Sequence, residues 1–496
     1  MSPLAEILAN TAAGTGRWRR AVVSSEVWDS VGHNIGEDKW NLVAHWGEPG
    51  MVHAALRERG SGTTGILSVN ALHGKFPALG RHCLPARRPE RAIRDLTGLE
   101  PEGAPDLRPW LDHGRWVPRD LSGAQAATEP YRFLPVEGEG LHQIPVGPVH
   151  AGIIEPGHFR FTASGETVVR LEERLGYAHK GIEALLVNAP LERAAKLAGR
   201  ASGDSTVAYA IAFAQAVEAT SGTVIPPRAA YLRAIMLELE RVANHVGDIG
   251  GVCNDAAFGL MLAHCAILRE HVLRAAGKVF GHRLMMDCVV PGGVARDVSG
   301  DDPKLIAKLL DRITRQFPAL VSIYEDTASL QDRMVRTGMV RHDLVARYAA
   351  GGYVGRASGR SFDARKILPF PPYDALEFDA PLLERGDVDA RIRIRILEVE
   401  QSVALLRQLI GQIPGGGVRT EVARQAGEGA AVVEGFRGDI FVWVRMDEDG
   451  SVARCHLRDP SIFQWPLLEA AIEGNIVADF PLCNKSFNCS YAGHDL

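Results

Sequence analysis

Apolar residues recur at helical spacing through the middle of the chain and predict a mainly helical region there. The clearest run follows Ile225 and two prolines, which favour the first turn of a helix. It carries one apolar stripe, formed by Leu232, Ile235, Met236, Leu239, Val242 and Val246. Similar spacing predicts helices at 302–327 and 391–409. We therefore expect the second half of the chain to be built mainly from helices.

Strand-like segments lie on both sides of this helical region. Short strands are predicted at 20–24 and 65–69, and a helix is predicted between them at 45–59, where Met51, Val52, Ala55 and Leu56 share a face. Apolar residues alternate with turn formers over 144–161, which indicates a strand, a tight loop and a second strand. A hairpin is predicted over 436–457 across an Asp-Gly turn.

A segment of low periodicity separates two predicted domains. Residues 126–143 lie in a stretch rich in Ala, Glu, Gly and Pro, which is typical of a linker. We expect a small α+β domain over 1–125 and a mainly α-helical domain with small β elements over 144–496, so the fold class is α+β. The length of 496 residues agrees, because one hydrophobic core rarely covers so long a chain.

Composition narrows the classes of function. The formal net charge is −5, which argues against nucleic acid as a partner because phosphate binding needs a concentrated basic surface. The chain has no apolar run of about 18 residues that could cross a membrane, and its N-terminus lacks a signal-peptide pattern. Seven cysteines are scattered, with no Cys-x-x-Cys pair to hold zinc or an iron–sulfur cluster. We therefore expect a cytoplasmic chain that binds no cluster itself.

The run from Pro85 to Leu111 combines a predicted short helix, which Gly98 ends, with an extended, proline-rich segment. By itself the run could be a solvated basic loop. It resembles the signature of the C-type subunit of NADH-quinone oxidoreductase. Ala92 and Ala104 are the two positions that differ from this signature. The positions that match are Glu90-Arg91, Asp95, Gly98-Leu99 and Gly103-Ala-Pro-Asp106-Leu-Arg108. The C-type subunit is a docking module without cofactors, so the resemblance implies that this domain holds partner subunits together.

The predicted loop within 144–161 presents His150, Glu155 and His158. Two histidines in a glycine-rich loop are more often part of a hydrogen-bonded turn than of a binding site. The run resembles the start of the large subunit of membrane-bound nickel–iron hydrogenases and of the D-type subunit of complex I, where the equivalent loop contacts the quinone headgroup. The resemblance makes His150 and His158 candidates for cofactor binding, and His158 a candidate for proton transfer.

The next motif places Glu183 on a short helix. The run Tyr177-Ala-His-Lys-Gly-Ile-Glu183 is similar to the family motif Tyr-x-His-Arg-Gly-x-Glu, with Lys180 in place of the arginine. In the hydrogenases this glutamate is linked to proton movement, so the resemblance implies a catalytic role for Glu183. Burial near other carboxylates would raise its pKa. A surface salt bridge is the alternative.

The run Arg200-Ala-Ser202-Gly-Asp204-Ser205 stands where active hydrogenases of this family have Arg-x-Cys-Gly-x-Cys. Nickel is held there by four thiolates from two Cys-x-x-Cys pairs, and a serine hydroxyl is a hard ligand that stays protonated. We therefore expect no nickel–iron centre and no other metal site in this chain. The resemblance instead implies that Asp204 takes part in proton transfer, and that Arg200, Ser202 and Ser205 contact a cofactor.

Two further segments complete the resemblance. On the helix after Ile225, Glu238, Arg241 and His245 could form a solvated face. The family pattern instead places them against a cofactor or quinone cavity, which makes His245 a candidate contact of the cofactor. The C-terminal run 479–496 matches the segment that carries the second cysteine pair, and the best register puts Ser490 and Gly493 at the two cysteine positions. We expect this tail to be buried beside the 200–205 turn, with no peptide to be cleaved beyond Leu496.

The resemblance covers nearly the whole chain. The chain resembles the large subunits of formate hydrogenlyase and of hydrogenase-4 type energy-converting complexes. It also resembles fused C-type and D-type subunits of complex I. It implies a subunit of a membrane-associated oxidoreductase complex, peripheral on the inner face of the membrane, with a metal-free quinone or proton-relay cavity. The implied partners are a small subunit with a 4Fe–4S cluster, a ferredoxin-like subunit and antiporter-like membrane subunits. A true nickel–iron hydrogenase and a redox-inert scaffold are the alternatives.

Overall fold

The computed structural model describes residues 3–9, 16–116, 131–150 and 154–496. Its helices are α1 (Pro3–Ala9), α2 (Ser25–Gly36), α3 (Arg87–Thr97), α4 (Ile182–Leu186), α5 (Leu191–Ala198), α6 (Thr206–Ser221), α7 (Pro227–Asp255), α8 (Gly259–Phe280), α9 (Asp302–Asp326), α10 (Ala328–Met334), α11 (His342–Tyr348), α12 (Gly352–Ala357), α13 (Ala364–Ile367), α14 (Val388–Gln412), α15 (Ser461–Ile472), α16 (Phe480–Phe487) and α17 (Tyr491–Asp495). Its strands are β1 (Arg20–Val22), β2 (Trp40–Glu48), β3 (Met51–Glu58), β4 (Thr64–Asn70), β5 (Lys75–Pro77), β6 (Glu100–Glu102), β7 (Leu141–Val146), β8 (His158–Ser164), β9 (Thr167–Arg174), β10 (Val289–Val290), β11 (Gly293–Val294), β12 (Gly427–Glu434), β13 (Asp439–Met446) and β14 (Val452–Arg458). The predicted α+β class is confirmed.

These elements form two compact units. The first unit contains Met1–Lys180, Asp343–Ala349 and Tyr491–Leu496, and the second contains Gly181–His342 and Ala350–Ser490. The strands β7 to β9 therefore belong to the first unit, whereas we expected them to begin the second domain. Of the predicted linker, residues 126–130 lie outside the described residues, whereas 141–143 begin β7. Within the described ranges, no helix is both long and apolar enough to span a bilayer.

The first unit is built on a four-stranded sheet in the order β1-β4-β3-β2, in which only the β1–β4 pair is parallel. The helix predicted at 45–59 is wrong: this segment forms most of the antiparallel pair β2 and β3, joined at Gly50, whose φ of +80° suits a tight turn. Both strands are buried on both faces. A strand of that kind lacks the alternating pattern that separates it from a helix, which explains the error.

The signature of the C-type subunit has a structural role in this unit. Helix α3 ends at Gly98, whose φ is +75° as predicted for a helix C-cap. The carboxylate of Asp95 accepts hydrogen bonds from the backbone amides of Trp110, Leu111 and Asp112 at 2.6 to 3.2 Å. The Arg108 guanidinium binds Asp106. The signature therefore fixes the extended segment that follows α3.

The second unit places two buried helices against a sheet and further helices. Helix α6 is apolar around its whole circumference and packs on the antiparallel meander β12-β13-β14. Helix α7 spans 29 residues and packs against α8 and α14. The helices predicted from the sequence after Ile225 and at 302–327 and 391–409 are confirmed as α7, α9 and α14, and the predicted hairpin is the β13–β14 pair.

A network of ion pairs with no solvent exposure joins the elements of the second unit. Arg356 on α12 binds Glu398 on α14 at 2.9 Å and Glu434 on β12 at 2.9 Å. Arg365 on α13 binds Glu238 on α7 at 3.1 Å. Arg356 and Arg365 therefore each hold carboxylates that come from other elements. We call the set of Glu238, Arg241, His245, Arg356, Asp363, Arg365, Glu398 and Glu434 the buried ion network.

We expect Arg356→Met to destabilise the protein strongly, because it leaves two buried carboxylates without their main cation. Removing one partner of a buried ion pair costs about 3–5 kcal/mol of unfolding free energy. Denaturant-induced unfolding of the full chain measures this loss. The matched control is Arg274→Met, which breaks an exposed pair with Glu270 and is expected to cost much less, because solvent screens that pair. Equal losses in the two variants would contradict the role given to the network.

Candidate functional site

The turn between α5 and α6 lies against the segment that follows α16. The Ser202 hydroxyl is 2.8 Å from the Ser490 hydroxyl and donates a hydrogen bond to Asp204 Oδ1 at 2.8 Å. Ser202 and Ser490 are both buried. The prediction that residues near the C-terminus pack beside the 200–205 turn is confirmed, with Ser490 at the position chosen for the first cysteine. We call Ser202, Asp204, Ser205, Arg437 and Ser490 the polar centre.

A guanidinium group fixes the charge of the polar centre. Arg437 donates to both carboxylate oxygens of Asp204, at 2.7 and 2.5 Å, and to the Ser205 hydroxyl at 3.3 Å. Burial works against ionisation, but the Arg437 charge and the Ser202 hydroxyl together hold the pKa of Asp204 below its usual range. Asp204 is therefore an anion at neutral pH, and it anchors Arg437 more readily than it carries a proton.

Tight backbone packing positions Arg437. Its carbonyl oxygen accepts a hydrogen bond from Gln464 Nε2 at 2.8 Å. A Cβ atom on Gly352 would lie 1.9 Å from that same oxygen, and Gly352 has a φ of +64°. Only glycine tolerates both conditions, so Gly352 lets the loop after β12 come close enough for Arg437 to reach Asp204.

The donor atoms of the polar centre do not suit a thiolate-bound nickel centre. Its two facing side chains are hydroxyls that already share a hydrogen bond, and its carboxylate is already paired with a guanidinium. The nearby Cys483 and Cys489 are buried, and burial raises the pKa of Cys483 to about 11. Soft thiolate donors are therefore missing from this set.

Glu183 on α4 lies in a different environment from the one we expected. Its Oε1 accepts hydrogen bonds from His456 Nδ1 at 2.7 Å and from the Leu457 amide at 3.0 Å. Burial favours the neutral acid, but the His456 imidazole and the amide donor together lower the pKa of Glu183. The expectation of a raised pKa is therefore wrong, because the residues around Glu183 donate hydrogen bonds to it instead of adding negative charge.

Glu240 on α7 is a further titratable carboxylate that no motif in the sequence marked as a candidate. Its two oxygens accept the amides of Val207 and Ala208 in the first turn of α6, at 2.7 and 3.1 Å. Burial, and the negative charge of Asp204, outweigh these two donors and raise the pKa of Glu240 to about 8. A cavity of about 10 Å³, the size of one water molecule, is lined by both Asp204 and Glu240. Asn244 holds the two segments together by donating to the carbonyl oxygens of Asp204 and Glu240.

The buried ion network carries an unbalanced charge. It contains three guanidinium groups and four carboxylates, so full ionisation would leave one negative charge uncompensated in a site without solvent. Burial and the neighbouring Asp363 raise the pKa of Glu434 to about 7. A proton held on Glu434, or shared with the imidazole of His245, brings the network to neutrality.

His245 lies inside this network. Its Nε2 is 2.6 Å from Glu398 Oε2, and its ring contacts Tyr353 and Phe436 edge-on. Burial lowers the pKa of His245, although Glu398 opposes this effect. Glu238, Arg241 and His245 are fully buried, so the solvated face considered for them is wrong. Arg200, in contrast, forms a half-exposed pair with Asp287 at 2.6 and 2.8 Å.

The two loop histidines belong to the first unit. His158 Nδ1 is 3.3 Å from the Gly147 carbonyl oxygen, and its Nε2 accepts a hydrogen bond from Arg160. Burial lowers the pKa of His158, which keeps it neutral at pH 7. The His150 ring lies 5.4 Å from the Phe159 ring, between centroids, with the two planes tilted by 32°. Its buried Nε2 has no hydrogen-bond partner among the described residues. Residues 151–153 of this loop lie outside the described ranges.

The last six residues are buried in the first unit, as predicted for the tail. Asp495 Oδ2 accepts the Ala178 amide at 2.8 Å, and the Leu496 carbonyl oxygen accepts the Lys180 amide at 3.0 Å. The His494 ring lies edge-on to Trp110, and Trp110 Nε1 is 3.4 Å from His494 Nε2. His494 and Gly493 are thus held in packing and hydrogen bonds. This arrangement explains why aromatic and ionisable residues continue to the end of the sequence.

Comparison with known proteins agrees with the family resemblance found in the sequence. The family model for the 49 kDa subunit of respiratory-chain NADH dehydrogenase matches residues 255–426 and 417–495. The NADH-quinone oxidoreductase D-type subunit 2 of Herpetosiphon aurantiacus is 32% identical over 347 residues, which cover 68% of this chain and 94% of the relative. Formate hydrogenlyase subunit 5 of Escherichia coli is 27% identical over 481 residues, which cover 93% of this chain and 84% of the relative.

A solved structure shows that the fold is shared. A chain from the membrane-bound sulfane sulfur reductase, an archaeal respiratory membrane complex, superposes with a TM-score of 0.69 at 24% identity. The match covers 73% of this chain and 100% of the other. The resemblance deduced from the motifs is confirmed by these relatives. This chain belongs to the family of the 49 kDa subunit of respiratory-chain NADH dehydrogenase.

Proposed function

We propose that this chain provides a metal-free, proton-exchanging centre in its complex, formed by the polar centre and Glu240. Membership of the family makes the chain a subunit of a complex I-like, hydrogenase-related respiratory complex. The observation that carries the proposal is the Ser202–Ser490 hydrogen bond, which joins two hard hydroxyl donors at the place where the resemblance implies nickel thiolates. Nickel–iron chemistry is therefore not assigned to this chain.

Glu240 supplies the proton exchange in this proposal. With its pKa raised to about 8, Glu240 holds a proton at neutral pH, and a small change in the local charge is enough to release it. The proton would leave its carboxyl oxygen for the cavity shared with Asp204 and return from there. Asp204 stays ionised beside Arg437 and supplies the fixed negative charge that keeps Glu240 basic.

The partner subunits complete the proposed function. We assign the iron–sulfur cluster to a small subunit, and the membrane-embedded work to antiporter-like subunits that hold this chain at the inner face of the membrane. The predicted C-type region over 1–125 would serve as a docking module, because its signature residues stabilise the extended segment that follows α3. A charge change on the partner cluster would shift the proton affinity of Glu240 through Coulomb interaction. Quinone is a candidate ligand of the loop that carries His150 and His158.

Metal analysis of the complex tests the metal-free part of the proposal. We expect the complex purified from its native membrane to contain iron but less than stoichiometric nickel, because the polar centre offers no thiolate pair. Hydrogen should not reduce a viologen dye in its presence. Stoichiometric nickel together with hydrogen-dependent dye reduction would show that the chain is a true hydrogenase subunit.

The unbalanced charge of the buried ion network predicts a pH-dependent stability. The pKa of Glu434 rises from 4.5 to about 7 on folding, so the folded protein keeps a proton that the unfolded chain releases. The stability that this proton contributes is therefore fully present below pH 4.5 and is lost as the pH rises to 7, by about 3 kcal/mol. Glu434→Gln, which mimics the protonated acid, should remove this contribution and make the slope shallower, whereas the contribution of Glu240, whose pKa is also raised, remains.

Denaturant unfolding between pH 4.5 and 8 measures the slope for each variant. The matched control is Glu448→Gln in the exposed β13–β14 turn, which should keep the wild-type slope. A wild-type slope in Glu434→Gln would show that another group carries the proton of the network.

A further inference from the structure

Two histidines and an aspartate meet on the surface of the first unit, in residues that the family resemblance did not single out. Asp29 and His33 lie one turn apart on α2, and His82 comes from the segment that follows β5. His33 Nε2 is 3.7 Å from Asp29 Oδ2, and His82 Nε2 is 3.6 Å from Asp29 Oδ1. One ligand atom from each of the three residues lies within 4.8 Å of the other two.

These distances fit ligands around one ion better than a hydrogen-bonded pair. Both exceed the range of about 2.7–3.2 Å for hydrogen bonds to nitrogen. Ligands at about 2.0–2.1 Å from a tetrahedral zinc ion stand roughly 3.3 Å apart, so small rotations bring all three atoms into place. The two imidazole rings lie with their centroids 3.9 Å apart and their planes tilted by 32°.

The backbone of α2 is shaped for this approach. A Cβ atom on Gly32 would lie 3.2 Å from His82 Cδ2, and one on Gly36 would lie 2.6 Å from the His82 carbonyl oxygen. Glycine disfavours a helix, yet two of them stand one turn apart where the His82 segment contacts α2. The close packing fixes the position of the His82 ring beside His33 and Asp29.

We propose that Asp29, His33 and His82 bind a divalent ion of the late first-row transition metals, with Zn²⁺ as the test ion. Imidazole nitrogen suits Zn²⁺ and Ni²⁺, whereas Mg²⁺ and Ca²⁺ require oxygen ligands. The ion would clamp α2 to the segment after β5 and leave at least one coordination position for water or a partner side chain. Arg81, 3.7 Å from Asp29 Oδ1, is 39% exposed and can swing away as the ion replaces its charge.

Calorimetric titration of the full chain with zinc chloride tests the site. We expect one saturable site that equal concentrations of Mg²⁺ do not block. Asp29→Asn, His33→Ala and His82→Ala should each weaken binding by at least about tenfold. The matched control is His142→Ala, which removes an exposed histidine on β7 and should leave the affinity unchanged. His33 has an exposed side chain (58%), so its variant is expected to remain folded.

A second variant tests the geometry without removing a ligand. Gly36→Ala forces the His82 backbone away from α2, so it should lower the melting temperature without metal and weaken zinc binding by the protein that remains folded. The Co²⁺-loaded chain should show a visible absorption band that disappears in His33→Ala. Zinc binding with unchanged affinity in both His33→Ala and His82→Ala would place the ion elsewhere and overturn the proposal, as would the absence of saturable binding.

Discussion

The pairing of buried charges in the second unit is the constraint on which its other features depend. Charged groups without solvent contact are tolerated only when each is paired, because the desolvation cost of an isolated charge is larger than the stability of a whole domain. Arg356 and Arg365 satisfy this condition by reaching carboxylates on α7, α14 and β12. The mutual positions of these elements are thereby fixed. Glu240 lies on one of them, α7, and accepts a hydrogen bond from the first turn of α6.

The same constraint creates groups that titrate near neutral pH. Four carboxylates against three guanidinium groups cannot all be ionised, so one proton stays in the network on or near Glu434. Glu240 reaches a similar state for a different reason, since it is buried beside the fixed negative charge of Asp204. Asp204 itself stays ionised, because Arg437 is bound to both of its oxygens. Asp204 thus anchors Arg437, whereas Glu240 is the neighbouring carboxyl to which we assign proton exchange.

The sequence was sufficient for features that depend on local pattern or on matched motifs. The apolar stripe of α7, the C-cap at Gly98 and the placing of Ser490 beside Ser202 were all predicted correctly. The sequence was insufficient where residues far apart in the chain determine the pKa of a group. The pKa of Glu183 is set by His456, far along the chain.

The neighbouring residues Glu238 and Glu240 show the same limit. One binds arginines in the buried ion network, whereas the other caps α6. Helical periodicity alone predicts only that the two side chains point in different directions. The raised pKa of Glu240 depends on the packing of α6 and on the charge of Asp204, which no local pattern reports.

The central claim is that Glu240 exchanges a proton near neutral pH beside a metal-free centre. Infrared spectroscopy of the full chain, titrated from pH 6 to 10, tests it through the carbonyl band of protonated carboxyl groups. Every protein compared carries Glu434→Gln, because the Glu434 carboxyl would otherwise titrate near pH 7 in the same range. The account predicts a buried carboxyl that loses its proton near pH 8, absent in Glu240→Gln and retained in Glu183→Gln, since Glu183 has a lowered pKa. Persistence of that band in Glu240→Gln, or its loss in Glu183→Gln, would contradict the account.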